Sequence, residues 1–264
     1  MKILFVGDVV ADVGKKSLHK YLPIVIKKTN ADFVIVNVEN IANGRGINKN
    51  NYAFLSNLKI NCMTLGNHYH DNIEVLDILN NDNIIRPLNI KRIFPGEGSR
   101  LYICNGKKIR VTNLLGTAFM KEKVKEPYFE IQKVIENDGS DIHIIDYHGE
   151  STGEKKAFAY SLKGCVSAVL GTHTHVQTSD NQILNTGVAY ITDVGMCGSY
   201  NSVLGNEADA VIKRTIFHDN EVSMFQFLEN DDALFNGVLI EFDDLTNKAT
   251  NIKRINLLNG KENG

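Results

Sequence analysis

The sequence predicts an α/β protein organised around a parallel sheet covered on both faces. Three observations carry this prediction. Apolar runs alternate with segments of helical periodicity through the first 80 residues, the grammar of β-α-β units. The runs are apolar at nearly every position rather than every second one, as expected of strands buried on both faces. Each run also stops at a short polar cluster, several of them opened by glycine, and such clusters punctuate strand ends.

Taken in order, residues 3–6 form the first strand, closed by Gly7-Asp8. Residues 15–28 place Leu18, Leu22, Val25 and Ile26 at helical spacing, with Pro23 as a point of kinking or shortening. Residues 33–38 are the second strand, ending in Glu39-Asn40, and the turn-rich Asn43-Gly44-Arg45-Gly46 leads to a helix over 49–58. Residues 62–65 are the third strand, ended by Gly66-Asn67-His68, after which Asp71 is placed to cap a helix running through Leu79. Residues 87–100 read as loop, and Asn105-Gly106 between two apolar runs marks a hairpin. A helix over 128–135, a strand over 142–147 ending in His148-Gly149-Glu150, a helix over 154–162 and a strand over 166–170 restore the alternation. Residues 189–191 form a further strand, 208–217 a helix, and 222–228, 238–242 and 252–255 edge strands. With no linker, repeat or low-complexity stretch, one domain spanning 1–264 is expected.

Composition narrows the function. Hydrophobic content of 43% supports a real core, and 29 Lys+Arg against 31 Asp+Glu leave no basic surplus for nucleic acid or anionic membrane. No apolar run approaches the about 18 residues of a membrane span, and the N-terminal run is too short for a signal peptide. Cys62, Cys104, Cys165 and Cys197 are scattered, without a CxxC pair, and read as reduced thiols. A soluble cytoplasmic protein without a membrane partner is expected, with monomer and homo-oligomer both open.

The chemistry centres on Gly171-Thr172-His173-Thr174-His175, just past a buried strand. Residues two apart in extended chain point to one side, so the two imidazoles are placed to share a space. Asp8, Glu39, Asn40, Asn67, His68 and His148 also follow predicted strands, and in open α/β sheets the carboxyl ends of strands line the ligand crevice. Each residue alone has a structural reading as a helix cap or turn former. Together they call for a common cause, and a metal centre supplies one. Carboxylate, amide and imidazole donors suit Fe, Mn or Zn better than Mg alone. Glu39 can bridge two ions, and an ion pair about 3.5–4 Å apart holds a bridging hydroxide and clamps phosphoryl oxygens. This accounts for the lack of a protein nucleophile, since neither a GxSxG elbow nor a Cys-His signature is present. His68, a residue type that changes charge near neutral pH, is placed to protonate a leaving group. Arg45 is placed to reach a substrate phosphate; Asp193 and Glu150 are placed to orient ligand histidines, Glu150 acting on His148.

Gly7-Asp8, Asn37-Val38-Glu39-Asn40, Gly66-Asn67-His68, the block from Asp146 to Lys155, Gly171 through Gln177, and Thr192-Asp193-Val194-Gly195-Met196 resemble the calcineurin-like metallophosphoesterase superfamily. The match is to its YmdB-like bacterial branch and extends from the first strand to about residue 206. The resemblance implies a four-layer α/β/β/α sandwich, which would divide the strands between two sheets. It implies one metal held by Asp8, Glu39, Asn40 and His175, a second held by Glu39, Asn67, His148 and His173, and His68 as proton donor. The implied metal is iron, with manganese or zinc as alternatives. The implied reaction is phosphodiester hydrolysis, with 2′,3′-cyclic nucleotides opened to 3′-nucleotides and RNA-derived fragments as related substrates. A phosphomonoesterase or protein phosphatase on the same centre, and a metal-containing nucleotide- or RNA-binding regulator without turnover, are the alternatives. Two departures stand out: Val10 replaces the histidine of the superfamily's Asp-x-His, and Tyr69-His70 replace the branch's Thr-Trp, a change expected to fall on the pocket wall.

Overall fold

The computed structural model of the protein describes residues 1–223 and 226–262. In chain order its elements are β1 (Lys2–Val6), β2 (Asp8–Val9), α1 (Ala11–Thr29), β3 (Phe33–Asn37), α2 (Lys49–Ser56), β4 (Cys62–Thr64) and α3 (Val75–Ile78). Then follow β5 (Ser99–Cys104), β6 (Lys107–Leu115), α4 (Pro127–Ile135), β7 (Ile142–His148), α5 (Thr152–Ser161) and β8 (Ala168–Thr172). The chain closes with β9 (Gln182–Ile183), β10 (Ala189–Ile191), β11 (Met196–Ser199), α6 (Ala208–Thr215), β12 (Ala233–Phe242), β13 (Ala249–Leu258) and β14 (Lys261–Glu262).

The strands divide between two sheets, which corrects the single sheet read from alternation alone and agrees with the sandwich that the resemblance implies. One sheet runs β14-β13-β12-β1-β3-β4, with β11 and β2 attached beside β12; the other runs β5-β6-β7-β8-β10-β9. β1, β3 and β4 are parallel, as are β6, β7, β8 and β10. Alternate residues explain why the strands are apolar throughout. Ile3, Phe5, Ile35, Val111, Ile144 and Leu170 meet between the sheets. Leu4, Val6, Val34 and Val36 face the other way onto Leu18 and Leu22 of α1. On the far side, Ile145, Tyr147 and Val169 pack on Ile131 of α4 and Phe158 of α5. Each fully buried Ile or Phe in these layers contributes about 1.5–3 kcal/mol. The order is α/β/β/α.

Several boundaries differ from expectation for physical reasons. α1 begins at Ala11 and continues past Pro23 to a left-handed Asn30 whose N–H bonds Ile26 O. The helix expected from Asp71 shrinks to the single turn of α3, with no side-chain cap, because Asp71 instead engages His68. The C-terminal strands are not edges: β12 pairs with β1 on one side and β13 on the other. Of the strand expected over 222–228, residues 224–225 lie outside the described residues, and the described remainder contributes only an isolated bridge at Phe227. The Asn105-Gly106 hairpin is present, both residues having positive φ (50° and 77°). No helix among the described residues is long and apolar enough to cross a membrane. All four cysteines are free.

Candidate metal centre

The carboxyl ends of β1, β3 and β4 from one sheet and of β7 and β8 from the other bring the predicted residues together. They form two contiguous groups. In the first, Nε2 of His148 lies 2.8 Å from Glu39 Oε1, 3.0 Å from Asn67 Oδ1 and 3.0 Å from His173 Nδ1. One proton on that nitrogen satisfies a single neighbour, whereas a cation satisfies all of them. Neighbouring ligands on an octahedral ion with bonds of about 2.1 Å stand roughly 3.0 Å apart, the spacing seen here. In the second group, Nε2 of His175 faces Asp8 Oδ1 across 3.9 Å. Asp8 and Asn40 are buried, and the Oδ1 atom of each has no hydrogen-bond partner. Buried acceptors left without donors are costly unless something positive meets them. Asn40 Nδ2 donates to Gly44 O at 3.0 Å, which commits the amide's other end to the site. Glu39 serves both sides of the cleft, since its Oε2 accepts from the His68 backbone N–H at 3.0 Å. The donor set fits divalent cations.

The electrostatics favour positive charge at this point. Burial opposes ionisation of Glu39, yet His148, with His68 and His173, holds its carboxyl down at about 2. Burial would likewise lower His148, but Glu39, Asp8 and Asp146 push it up to about 9. Asp8 is raised by burial, with Glu39 and Asp193 adding to the effect, and His173 is lowered to about 3 by burial and then by His148. These are carboxylates and imidazoles packed out of water around an intended charge.

A supporting layer positions these side chains. Fully buried Asp146 accepts from Asn37 Nδ2 (3.0 Å) and Thr64 Oγ1 (2.5 Å) of the first sheet, and from Thr172 Oγ1 (2.6 Å) of its own. Having given its proton to Asp146, the Thr172 hydroxyl accepts from His148 Nδ1 at 2.9 Å, which leaves the Nε2 lone pair for the site. Burial pushes the Asp146 carboxyl up to about 6, partly offset by His148 and by the Thr172 and Thr64 hydroxyls. The loop bearing the two histidines is held by a fully buried ion pair. Lys155 Nζ donates to Asp193 (2.9 Å) and Thr172 O (2.8 Å), while Asp193 accepts from the Thr174 and Gly195 N–H groups. It holds His173 and His175 at φ of 102° and 66°, left-handed conformations that cost about 1–3 kcal/mol each. Both residues line one cleft, as expected, but through these left-handed conformations rather than through simple strand alternation.

Other assignments are also refined. Glu150 pairs with His173 Nε2 at 3.2 Å rather than with His148. Asp193 orients the loop backbone, not an imidazole. His68 lines the cleft, and its Nδ1 lies 2.7 Å from Asp71 Oδ2. Arg45 is exposed and is not among the residues lining the cleft. Asp146, Thr172, Lys155 and Asp71 were not singled out from sequence as supports, because hydroxyls and charges inside predicted elements give no local signal for a distant partner. Gly66 does leave a trace, a glycine at a strand end: a Cβ there would fall 2.2 Å from Glu39 Oε2 and 2.5 Å from His148 Nε2.

Residues 4–255 match the YmdB-like protein family. The chain belongs to the YmdB-like family. It is 40% identical over 258 residues to the 2′,3′-cyclic-nucleotide 2′-phosphodiesterase of Bacillus subtilis, covering 97% of this chain and 96% of that protein. Among solved structures, a phosphatase from Mycoplasma pneumoniae superposes with a TM-score of 0.91 at 35% identity, covering 99% of this chain and 94% of the other. A hypothetical protein from Thermus thermophilus superposes with a TM-score of 0.90 at 32% identity, covering 98% and 99%. Where the chain departs from the YmdB-like pattern, Tyr69 is buried edge-on against Phe94 with ring centroids 5.1 Å apart, and His70 Nε2 meets Arg92 at 2.9 Å. Val10, the other departure, lines the cleft.

Proposed function

We propose that this YmdB-like hydrolase is a dimetal phosphodiesterase that opens 2′,3′-cyclic nucleotides to 3′-nucleotides in the cytoplasm. The observation that carries the reading is the pairing of orphaned Asp8 and Asn40 oxygens with the crowded donor atoms around His148 Nε2. Asp8, Glu39, Asn40 and His175 would hold one ion, and Glu39, Asn67, His148 and His173 the other, iron being the proposed metal with manganese or zinc substituting. When bound, such ions neutralise phosphoryl charge and supply hydroxide at neutral pH. The residues do the rest. In-line attack at phosphorus breaks the bond to the 2′ oxygen, and His68 gives its Nε2 proton to that oxygen, leaving a free 2′-hydroxyl and a 3′-phosphate. Asp71, accepting from His68 Nδ1, steadies the ring. Arg45 has no part in this reading.

Purified protein loaded with Fe(II) or Mn(II) should convert 2′,3′-cyclic AMP to 3′-AMP, with the product identified by chromatography. A monoester-only profile would favour a phosphatase, and tight binding without turnover a nucleotide-binding regulator; either result overturns the proposal. His68→Ala should slow cyclic AMP opening about 10²- to 10³-fold, as loss of a general acid does. It should slow bis(p-nitrophenyl) phosphate far less, because that leaving group departs without a proton. Equal losses on both substrates would remove His68 from the proton-donor role.

A further inference from the structure

The cleft over the metal centre has two unlike sides, with a volume of about 240 Å³ between them. Its floor carries the charged and imidazole groups. Its wall is Val10, Leu204 and Phe227, with the side chain of Asn206 beside them. Apart from Val10, the wall comes from the excursion between β11 and β12, and it is tied to the centre at two points. His175 Nδ1 donates to Leu204 O at 2.9 Å. Phe227 lies over Gly44, whose carbonyl holds the Asn40 amide. A Cβ on Gly44 would stand 2.0 Å from Phe227 Cζ, and its φ is +75°, so glycine alone lets the ring reach this position. Phe227 packs against Val10, Ala11 and Met196 and also borders a second hollow beside Ala11, Asp12 and Asn43. It is a partition held in place from behind. Asn206 bridges to Phe227 through the backbone. Its side-chain Oδ1 is buried without a partner, and its Nδ2 reaches Val203 O only at 3.4 Å.

A phosphodiester needs only the floor. A flat aromatic group next to an amide with unused hydrogen-bonding capacity fits a planar heterocycle with a polar edge. Resting on the functional reading above, we propose that Phe227 and Asn206 form the nucleobase subsite. The Phe227 ring stacks on the base and the Asn206 amide bonds its edge, so the enzyme selects cyclic nucleotides over cyclic phosphates that lack a base.

The test sets the catalytic efficiency, kcat/KM, on 2′,3′-cyclic AMP against that on glycerol 1,2-cyclic phosphate, which has the same five-membered phosphodiester and no base. Base stacking on an aromatic side chain predicts that Phe227→Ala lowers the ratio of the two by about 5- to 100-fold, mainly through a weaker KM toward the nucleotide, and that Phe227→Tyr restores it. Asn206→Ala should change the preference between 2′,3′-cyclic AMP and 2′,3′-cyclic UMP, since the amide reads the base edge. A ratio unchanged in Phe227→Ala, or activities on both substrates lost in equal proportion, would overturn the subsite while leaving the phosphodiesterase reading intact. A wild-type protein inert on both substrates would overturn that reading and the subsite with it.

Discussion

Asp8→Asn should lower catalytic efficiency on 2′,3′-cyclic AMP by about 10³-fold or more, the scale of losing a principal electrostatic contact in the transition state. The side chain keeps its shape and loses its charge. Asp8 Oδ2 accepts from the His173 N–H at 3.3 Å, and Oδ1 faces His175 Nε2 with no donor of its own. An asparagine must place its NH₂ at one of these two positions. At Oδ2 it confronts another donor; at Oδ1 it turns a donor toward the place proposed for a cation. Bound metal, counted by elemental analysis, should fall from two ions to about one per chain. Stability should move the other way. Burial raises the Asp8 carboxyl above its ordinary range, so its ionisation at neutral pH weighs against the folded state, and a neutral isostere removes that cost. Metal-free Asp8→Asn should therefore melt at or above the temperature of metal-free wild type. Full activity with both ions retained would end the ligand assignment.

Gly66→Ala should be nearly as damaging through sterics alone. Gly66 does not adopt positive φ, so alanine brings little backbone strain. Its added methyl would lie 2.2 Å from Glu39 Oε2 and 2.5 Å from His148 Nε2, well inside van der Waals contact. Both neighbours are tips of side chains, so the fold can absorb the methyl only by moving the two groups proposed as ligands. Misplacement by about 1 Å costs on the order of 10²-fold in rate, and that loss or a greater one is expected with the melting temperature nearly unchanged. A crystal structure of the variant with Glu39 and His148 in their wild-type positions, or wild-type turnover, would contradict the close packing described here.

The strand ends were legible because buried parallel strands are uniformly apolar and stop abruptly. Asp8, Glu39, Asn67, His148 and His173 all stand within three residues of such a stop. What could not be read locally was decided by distant partners. β12 looked like an edge, but its neighbour β1 lies more than 200 residues away in sequence. Asp71 precedes an apolar stretch and carries a sound capping signal; the nearby His68 imidazole claimed its carboxylate instead. Lys155 sits in a helix where a solvated lysine would be ordinary, and only tertiary structure reveals it as fully buried against Asp193. The paired histidines were legible as members of one cleft, while their positive φ was not, because the residue type does not advertise it.

The origin of the ligands has a consequence for how binding and folding are linked. Asp8, Glu39, Asn40 and Asn67 belong to one sheet and its loops, and His148, His173 and His175 to the other. Beneath them Asp146 already joins the sheets through neutral donors. Cations held by both sets would act as a staple across the middle of the sandwich, and their chemical potential would enter the unfolding equilibrium directly. At a free ion concentration 100 times the Kd, one such site adds about 2.7 kcal/mol to the stability of the native state. Metal supply would then govern how much of the chain survives as well as how fast it works, and a starved protein would lose catalysis and resistance to proteolysis together.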